Sequence, residues 1–508
     1  MQRNFTFEEY NKRTMKKLLI ATFGLMLMLP AFAQKPSVGE KKEFNLQFRI
    51  KGLQDTIIFM ANYYGGKQYY KDTADVNNEG YFSFSGMKDY PSGIYMMVLP
   101  DRKSYFEFII NETEFTMETE RGNLVNAMKI KGSKENEAFY QYMQYLSDKQ
   151  GEAKPIKEEL GKTDDDKKVE ELKEKLNQLD KEVKAWQKDF LETNKETFAA
   201  KVFSTTPDPE IPEDLPIKEG EDADKAKFKY FRNHYLDNID FSDDRLVRTP
   251  IYHNKLEYYI KKLTPQIPDS INKAADNIIG KAKASDELFK YSVHYITNTY
   301  EKSKIMGMDA VFVHMVENYY MSGEAFWVDS TNLGKISERA MTLKPLLLNK
   351  VAQNIILPDT GGKWHNLHSI DAKYTVLYFW DSGCGHCKKA TPKLKKFYED
   401  FKDEYKMEVF AVGTELEIKD WKKYVKDNKL PWINVSDTPE INKNAYDYLA
   451  KGVTTLNSLN FRDVYDIYST PVVYILDKDK KIIGKRLSVE QIEDFIKDME
   501  KLEKEKKS

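Results

Sequence analysis

The two cysteines of this 508-residue chain lie three positions apart, in the sequence Cys384-Gly385-His386-Cys387. The pair follows an apolar run of β-forming residues and precedes a helix-forming segment, so we expect it at a helix N-terminus. Unpaired backbone N–H groups and the positive end of the helix dipole stabilise a thiolate there. Cys384, the first and more exposed cysteine, is predicted to be the nucleophile, and Cys387 is predicted to resolve the mixed disulfide.

Alternative roles for the pair are disfavoured on physical grounds. A structural disulfide would stabilise the fold little, because closing so short a loop removes little chain entropy. A zinc site lacks a second CxxC or HxxxH pair at a usable spacing. We therefore interpret the pair as a redox dithiol that uses no metal and no cofactor. His386 places a polarisable group beside the attacking sulfur, which should stabilise the reduced form and make the pair more oxidising.

A second element, Thr470-Pro471, comes directly before the apolar run Val472–Leu476. Because proline cannot donate a hydrogen bond inside a central strand, a proline at the first strand position marks a special turn. Together with the CxxC motif it predicts a cis peptide bond that holds backbone groups opposite the dithiol, where they can pair with an extended substrate strand. The alternative is an ordinary trans proline at a strand edge.

The elements that must position these residues alternate between strands and helices. Residues 375–380 form a continuous apolar run, which is typical of a strand buried on both faces. A hairpin turning at residues 359–363 precedes this run. The predicted elements that follow are a helix at 385–401, a strand at 407–412, a helix at 418–428, strands at 432–435, 472–476 and 481–485, and a helix at 488–502. Their alternation predicts an α/β domain over residues 350–502.

Two regions precede this domain. Residues 41–131 alternate apolar and polar positions between turn signals, which predicts a β-sandwich-like domain. Residues 134–348 are predicted to be helical, and apolar residues recur at steps of three and four from Val169 to Phe190. We expect that seam to pack against the aromatic helix around residues 139–145. The β-rich region shows no titratable cluster with a catalytic spacing, so we interpret it as a scaffold or recognition domain. The function of the helical region is unknown.

The first 33 residues have the parts of a secretory signal. Lys16 and Lys17 precede an apolar run that ends in Ala31-Phe32-Ala33. The run has 16 residues, fewer than the roughly 20 that a membrane anchor needs, so we predict cleavage after Ala33 and no stable membrane span afterwards. Met15 is an alternative translation start, because acidic residues precede it. The mature protein is expected in the periplasm, where disulfide chemistry persists.

The overall composition excludes several classes of function. Lysine and arginine total 79 and aspartate and glutamate total 81, for a formal charge of −2. The chain therefore lacks the basic excess that nucleic-acid binders use to neutralise phosphates. Hydrophobic residues at 41% and charged residues at 31% fit a folded, soluble chain rather than a disordered one or one with several membrane spans.

The motif FWDSGCGHCKKATPKL, followed later by STPVVYILD, resembles the thioredoxin fold. The preceding hairpin resembles the TlpA/ResA-like branch of secreted thiol–disulfide oxidoreductases. The resemblance covers about residues 350–502 and implies Cys384 as nucleophile, Cys387 as resolving cysteine, Pro471 as the cis-proline and Trp380 as a packing residue beside the site. Residues 72–86 resemble an uncharacterised domain that often precedes such thioredoxins in Gram-negative bacteria, and the helical region resembles a companion module of unknown role.

Three features depart from these relatives. Residues 381–383 separate Trp380 from Cys384, whereas tryptophan commonly adjoins the dithiol. The Gly-His dipeptide is more similar to that of protein disulfide isomerases than to that of bacterial reductases. The buried acid with which many relatives move the Cys387 proton has no unambiguous match. Glu415 and Glu417 are the candidates, and the alternative is an ordinary acid on a surface loop.

The sequence therefore predicts a thiol–disulfide oxidoreductase that acts on protein thiols and disulfides and receives electrons from an upstream membrane donor. The direction of electron flow stays open, because His386 favours an oxidant or isomerase whereas the family branch favours a reductant. One alternative is a non-enzymatic binding or assembly factor with a redox-sensitive thioredoxin arm. A peroxidase is disfavoured, because a CxxC pair differs from a lone peroxidatic cysteine.

Overall fold

The structure is a computed structural model that describes residues 41–415 and 418–505. The predicted signal segment 1–33, with its alternative start at Met15 and its cleavage site after Ala33, lies outside the described residues, and so does Glu417. The chain divides into two compact units. The first runs to Tyr259 and includes Ala284–Leu288, and the second comprises Ile260–Lys283 and the residues from Phe289 onward.

The N-terminal part of the first unit is the predicted β-sandwich-like domain. One sheet has the strand order β4-β1-β7-β8 and the other has the order β3-β2-β5-β6. Strand β1 buries every second residue from Phe44 to Ile50, as expected for a strand with one face toward a core. The strands are β1 (Lys42–Lys51), β2 (Thr56–Tyr64), β3 (Lys67–Val76), β4 (Tyr81–Lys88), β5 (Gly93–Val98), β6 (Tyr105–Ile110), β7 (Glu114–Glu120) and β8 (Lys129–Lys131).

Aromatic rings fill the space between the two sheets. The ring of Phe48 on β1 lies 5.3 Å, centroid to centroid, from Phe82 of its own sheet and 5.3 Å from Phe108 of the opposite sheet. Phe48 is 1% exposed and Phe108 is fully buried. The inward-facing residues of both sheets thus share one core, which is the defining feature of a sandwich.

The helical region begins in the first unit, where the predicted seam is confirmed. Trp186 stacks on Tyr145 at 3.8 Å, and Tyr142 stacks on Phe203 at 3.7 Å. The contact between Trp186 and Tyr145 joins the helix that carries the apolar seam to the preceding aromatic helix. The helices from here to residue 261 are Lys134–Leu160, Asp166–Thr193, Phe198–Thr205, Ala223–His234 and Pro250–Lys261.

Most of the remaining helical region lies in the second unit, together with the α/β domain, although Ala284–Leu288 belong to the first unit. Its helices are Pro268–Ala282, Asp286–Glu301, Asp309–Met315 and Ser330–Leu343, with a π-helical turn at Val316–Tyr320. Asp309 pairs with Lys485, and Arg339 pairs with Asp466. Because the boundary between the units falls within the helical region, the division into domains at 41–131, 134–348 and 350–502 stays a prediction.

The C-terminal part of the second unit has the predicted thioredoxin-like α/β fold. Its sheet has the order β13-β12-β11-β14-β15, in which β11 runs parallel to β12 and antiparallel to β14. A separate hairpin of β9 and β10 turns at the predicted residues 359–363. The strands are β9 (Ile356–Pro358), β10 (Trp364–Asn366), β11 (Tyr374–Trp380), β12 (Met407–Gly413), β13 (Ile433–Ser436), β14 (Val472–Leu476) and β15 (Ile482–Lys485).

The central strand β11 is buried at every position because both faces of the sheet are covered. Tyr378 and Trp380 face the core formed with the helices Gly385–Phe401 and Val489–Glu505. Leu377 and Phe379 face a second core on the other side of the sheet. Shorter helices that the sequence did not predict connect β13 to β14: Pro439–Lys443, Ala445–Ala450, Leu456–Leu459 and Phe461–Val464. The helix Ile418–Asp427 completes this part of the chain.

Candidate active site

The dithiol lies where the buried strand β11 gives way to a helix. Cys384 is the N-cap residue of the helix Gly385–Phe401, and Cys387 lies in the first turn of this helix. The loop between the strand and the helix contains only residues 381–383, so the position of the sulfurs is tied closely to the core. Backbone N–H groups in a first helical turn lack intrahelical acceptors and stabilise negative charge nearby. Both cysteines are free thiols in this structure.

The Cys384 thiol is half-buried, and its pKa lies below the ordinary value. Burial alone would raise this pKa, but hydrogen bonds from the backbone of Cys387 and His386 and from Thr470 outweigh the effect of burial. In its protonated form the thiol donates to the carbonyl oxygen of Thr470, with an Sγ–O distance of 3.4 Å. A lower pKa increases the fraction of thiolate at neutral pH, and the thiolate is the nucleophilic form.

The Cys387 thiol is fully buried, and burial raises its pKa to about 11. The backbone N–H of Asp381 donates to the Cys387 sulfur at 3.4 Å, which opposes this shift without cancelling it. At neutral pH Cys387 therefore stays protonated. Cys384 is thus the more exposed of the two thiols and has the lower pKa, as the sequence predicted.

The peptide bond between Thr470 and Pro471 is cis, as the sequence predicted. The bond lies directly before β14, which pairs with β11 so that Val472 is opposite Phe379. This pairing brings Thr470 to the end of β11 where the CxxC helix begins. Thr470 and Pro471 are both half-buried, so part of each residue faces solvent beside Cys384.

Trp380 fixes the end of β11 from within the core. The residue is 1% exposed, and its ring lies parallel to that of Tyr378 at 6.3 Å and tilted against that of Tyr424 at 5.3 Å. The carbonyl of Trp380 accepts a hydrogen bond from the backbone N–H of Thr414 at 2.9 Å. These contacts hold the end of β11, from which the loop of residues 381–383 begins. Trp380 therefore has a packing role beside the dithiol.

Glu415 lies close to the loop that precedes the dithiol. One of its carboxylate oxygens accepts a hydrogen bond from the backbone N–H of Ser382 at 2.9 Å. The other oxygen is buried, and no hydrogen-bond partner is found for it among the described residues. Burial raises the pKa of this carboxyl, although the hydrogen bond from Ser382 opposes the shift. Glu415 as a whole is half-buried, and its role as an acid–base group stays a prediction.

The two residues between the cysteines, Gly385 and His386, are exposed. The imidazole of His386 is thus available to a molecule that approaches Cys384. Within the part of the chain that the structure describes, no three His, Cys, Asp or Glu side chains come together as metal ligands would. No helix of the described residues has the length and apolar character needed to cross a membrane.

The contribution of residues 381–383 was not predicted from the sequence, in which they stand out only as a separation between Trp380 and the dithiol. Asp381 donates its backbone N–H to the Cys387 sulfur, and its carboxylate accepts from the backbone N–H of Gly383 at 2.6 Å. Ser382 is buried and holds Glu415. An aspartate two residues before a glycine is a usual signal for such a side-chain-stabilised turn, and it could have identified this loop.

Three family models match consecutive parts of the chain. Residues 371–482 match a family described as thioredoxin-like. Residues 44–139 and residues 167–344 match two separate families, each described as a domain of unknown function. The matches follow the order of the β-rich, helical and α/β regions.

Individual relatives are similar to the C-terminal part of the chain. A thiol–disulfide oxidoreductase ResA of Bacillus cereus is 24% identical over 155 residues, which are 29% of this chain and 76% of the relative. The ResA protein of Bacillus subtilis (strain 168) is 25% identical over 132 residues, which are 26% of this chain and 63% of the relative. A solved domain of a possible thiol–disulfide isomerase from Cytophaga hutchinsonii ATCC 33406 is 39% identical over 32% of this chain and 97% of that domain, with a TM-score of 0.26.

Proposed function

This protein belongs to the thioredoxin-like thiol–disulfide oxidoreductases, and from that premise we propose that Cys384 and Cys387 exchange disulfides with protein substrates in the periplasm. The observation that carries the proposal is the contrast between the two thiols. Cys384 is accessible and has a lowered pKa, whereas Cys387 is fully buried and has a pKa of about 11. One sulfur can thus attack an incoming disulfide while the other is kept for the second step.

In the reducing direction, the Cys384 thiolate attacks a substrate disulfide. A bond forms between Cys384 Sγ and one substrate sulfur, the substrate S–S bond breaks, and the second substrate sulfur leaves as a thiolate. Cys387 then loses its proton and attacks Cys384 Sγ, which releases the first substrate sulfur and closes the Cys384–Cys387 disulfide. Two electrons pass from the protein to the substrate. The oxidising direction is the same sequence of steps in reverse.

Glu415 is proposed as the acid–base group that assists Cys387. The carboxyl is held by the backbone N–H of Ser382, and the neighbouring backbone N–H of Asp381 contacts the Cys387 sulfur. Because burial raises its pKa, this carboxyl is better matched to proton exchange near neutral pH than an ordinary glutamate is. Glu417, the other acid that the sequence suggests for this role, lies outside the described residues.

The proposal is tested by insulin reduction with dithiothreitol as the electron source. Cys384→Ser should abolish the protein-dependent rate, because no thiolate remains to attack. Reduced Cys387→Ser, freed of dithiothreitol and mixed with insulin, should instead accumulate a mixed disulfide that a non-reducing gel detects. A rate that persists in Cys384→Ser would contradict the proposal and favour a non-enzymatic binding or assembly factor.

The direction of electron flow is open to measurement. A titration of the Cys384/Cys387 couple against glutathione gives its reduction potential. A value near about −270 mV would indicate a reductant similar to thioredoxin, and a value between about −180 and −120 mV would indicate an isomerase or an oxidant. The lowered pKa of Cys384 favours the more oxidising range, because a stabilised thiolate stabilises the reduced protein.

We further propose a periplasmic location after cleavage behind Ala33, with electrons supplied by a membrane-bound redox donor. The apolar run and the small-residue site in the sequence support the proposal. Fractionation of cells that express the full-length chain should place the protein in the periplasmic fraction, and N-terminal sequencing should begin at Gln34. Recovery of the uncut chain from the cytoplasm would contradict it.

A further inference from the structure

The loop of residues 465–471, which we name the Pro471 loop, borders the dithiol and carries an exposed aromatic side chain. Thr470 of this loop accepts the hydrogen bond from Cys384 at 3.4 Å. Two residues earlier, Tyr468 exposes 85% of its surface. Within the described residues, no hydrogen-bond partner is found for the backbone N–H groups of Tyr468 and Ser469. A large aromatic ring and unused backbone donors therefore lie close in sequence to the contact with the reacting sulfur.

The first half of the Pro471 loop is fixed firmly to the protein. Asp466 has a φ of +58° and a side chain that is 1% exposed. Its carboxylate pairs with Arg339 and, at 2.7 Å, with Arg486. The backbone N–H of Ile467 donates to the carbonyl of Arg462 at 2.8 Å. Tyr468 is thus the first exposed residue after an anchored segment, so its backbone position is well defined although its ring is open to solvent.

Arg339 connects this loop to the helical region. It lies on the helix Ser330–Leu343, within residues 167–344 and outside the thioredoxin-like residues 371–482. Besides its pair with Asp466, its guanidinium carbon lies 5.8 Å from the centroid of the Tyr468 ring. This distance is within the range of a cation–π interaction. One guanidinium therefore holds the base of the loop and orients the aromatic ring above it.

We propose that Tyr468 is a substrate-contact residue, that Arg339 positions it, and that the pair makes the dithiol selective for extended polypeptides with an apolar side chain close to the reacting cysteine. This inference rests on the proposed function and adds the class of substrate to it. It also gives the helical region a role, because a residue of that region shapes the surface where the substrate binds.

The chemistry of the surface favours a polypeptide over a small disulfide. An exposed tyrosine ring is costly to hydrate and gains free energy when an apolar side chain covers it. Unused backbone N–H groups pair with the carbonyl groups of an extended chain, which is how many proteins bind peptides. A small disulfide reaches Cys384 without touching Tyr468, so the two kinds of substrate should differ in their dependence on this residue.

The test uses the reduced full-length protein and two peptides whose cysteine carries thionitrobenzoate in a mixed disulfide. The peptides differ only in a leucine or a serine next to that cysteine, and dithiobisnitrobenzoate serves as the small substrate. Attack by Cys384 and resolution by Cys387 transfer two electrons and release thionitrobenzoate, which absorbs visible light. Each protein molecule reacts once, because no reductant is added, and Tyr468→Ala should lower the second-order rate constant of this single turnover for the leucine peptide about tenfold, which is the size of effect that a single contact residue produces.

Two controls separate the contact from a general disturbance. Rates with the serine peptide and with the small disulfide should change less than about twofold, because neither substrate covers the ring. Tyr446→Ala removes a tyrosine that is 83% exposed on the helix Ala445–Ala450 of the same unit, and it should leave all three rates unchanged. Arg339→Gln should raise the concentration of leucine peptide that gives half the maximal single-turnover rate, while the maximal rate stays near that of the unaltered protein, and Arg339→Lys should restore part of the loss. Asp466 keeps Arg486 as a partner in both variants, so the loop retains its anchor.

Each remaining outcome counts against the inference. Equal loss on all three substrates would show that Tyr468 acts on the dithiol itself and not on selection. Equal rates for both peptides in the unaltered protein, with Cys384-dependent release from the small disulfide, would leave the proposed function standing and overturn this inference alone. Absence of Cys384-dependent release from every substrate would overturn both.

Discussion

The chemistry of the dithiol follows from how differently two identical side chains are surrounded. Cys384 receives hydrogen bonds at the start of a helix, whereas Cys387 is fully buried behind it. Hydrogen bonds donated to a sulfur stabilise the thiolate and lower its pKa. Burial that such hydrogen bonds do not offset stabilises the thiol and raises the pKa. The residues that produce the difference are few: hydrogen bonds from the backbone of Cys387 and His386 and from Thr470 lower the pKa of Cys384, whereas burial raises the pKa of Cys387.

A first prediction at the residue scale concerns alkylation of the reduced protein. With a pKa of about 11, Cys387 is a thiolate in only about one molecule in ten thousand at pH 7. Cys384 should therefore be alkylated by iodoacetamide at pH 7 faster than a free cysteine thiol, and Cys387 should stay unmodified. Mass spectrometry of the digested protein distinguishes the two sites. Equal labelling of both cysteines in the folded protein would contradict the assignment of roles.

A second prediction concerns Glu415, whose pKa is raised by burial. A carboxyl group with a raised pKa binds its proton more tightly in the folded state than in the unfolded state. The protonated carboxyl therefore stabilises the fold below pH about 4.5, and this stabilisation is lost as the pH rises through the pKa of the folded state. Glu415→Gln stays neutral throughout. Relative to this variant, the unaltered protein should lose stability between about pH 4.5 and the folded pKa, which thermal unfolding at a series of pH values measures.

The same variant also tests the proposed catalytic role. Glu415→Gln cannot accept a proton, so the pH dependence of insulin reduction should lose the inflection that belongs to this carboxyl. Asp420→Asn, which removes an acid from the first turn of the helix Ile418–Asp427, is a suitable control and should keep the profile. A profile that Glu415→Gln leaves unchanged would exclude the acid–base role.

At the scale of elements, the site depends on where β11 and β12 end. Both strands run in the same direction, so their carboxyl ends meet at one edge of the sheet. The loop after β11 supplies the dithiol, and the loop after β12 supplies Thr414 and Glu415. The hydrogen bond from the backbone N–H of Thr414 to the carbonyl of Trp380 joins the two strand ends. A change in either loop is therefore expected to affect the other.

A third prediction follows from the close packing at the end of β12. A Cβ atom at Gly413 would lie 2.6 Å from Nε1 and 2.8 Å from Cδ1 of Trp421, whose side chain is buried. Gly413→Ala should therefore lower the free energy of unfolding by about 1–3 kcal/mol and slow insulin reduction, because the Glu415 loop must shift. Chemical denaturation measures the first effect.

Gly280→Ala is the matched control for this prediction. Gly280 lies in the helix Pro268–Ala282 of the same unit, and an added Cβ there meets nothing within 4 Å. Because alanine is the better helix former, the substitution should stabilise the protein by up to about 1 kcal/mol and leave the rate unchanged. Destabilisation of similar size by both substitutions would contradict the explanation from packing.

At the scale of the whole molecule, the helical region contributes directly to the unit that holds the dithiol. Lys485 on β15 is 5% exposed, and its ammonium group contacts both the Asp309 carboxylate and the carbonyl oxygen of Leu346, the latter at 2.8 Å. Burial lowers the pKa of Lys485, which shows the cost of the charge at this position. The ion pair therefore attaches the helix Asp309–Met315 to the sheet.

A fourth prediction tests this attachment with a double-mutant cycle. Asp309→Ala leaves the Lys485 ammonium buried without its acidic partner and should lower the free energy of unfolding by about 3–5 kcal/mol. Adding Lys485→Met removes the unpaired charge and should restore most of that loss, since an apolar side chain fits a buried site. Denaturation of the single and double variants gives the coupling energy. Additive losses would show that the two residues do not interact.

Some of these features were predictable from the sequence because they depend on local patterns. The apolar run of β11, the helix Gly385–Phe401 and the spacing of the cysteines indicated the α/β fold and the order of the two thiols. The apolar seam from Val169 to Phe190 likewise indicated the helix packing of the first unit. In each case the residues that interact are close in sequence, or their periodicity reveals the face that must be buried.

The contacts that complete the site depend on tertiary structure alone. Glu415 and Ser382 are 33 residues apart, Cys384 and Thr470 are 86 apart, and Arg339 and Asp466 are 127 apart. No periodicity links residues at such separations, because their proximity results from the order of strands in the sheet and from the packing of helices on it. The sequence by itself determined which sulfur chemistry is present, and the tertiary structure decided which groups tune the thiols and which surface meets the substrate.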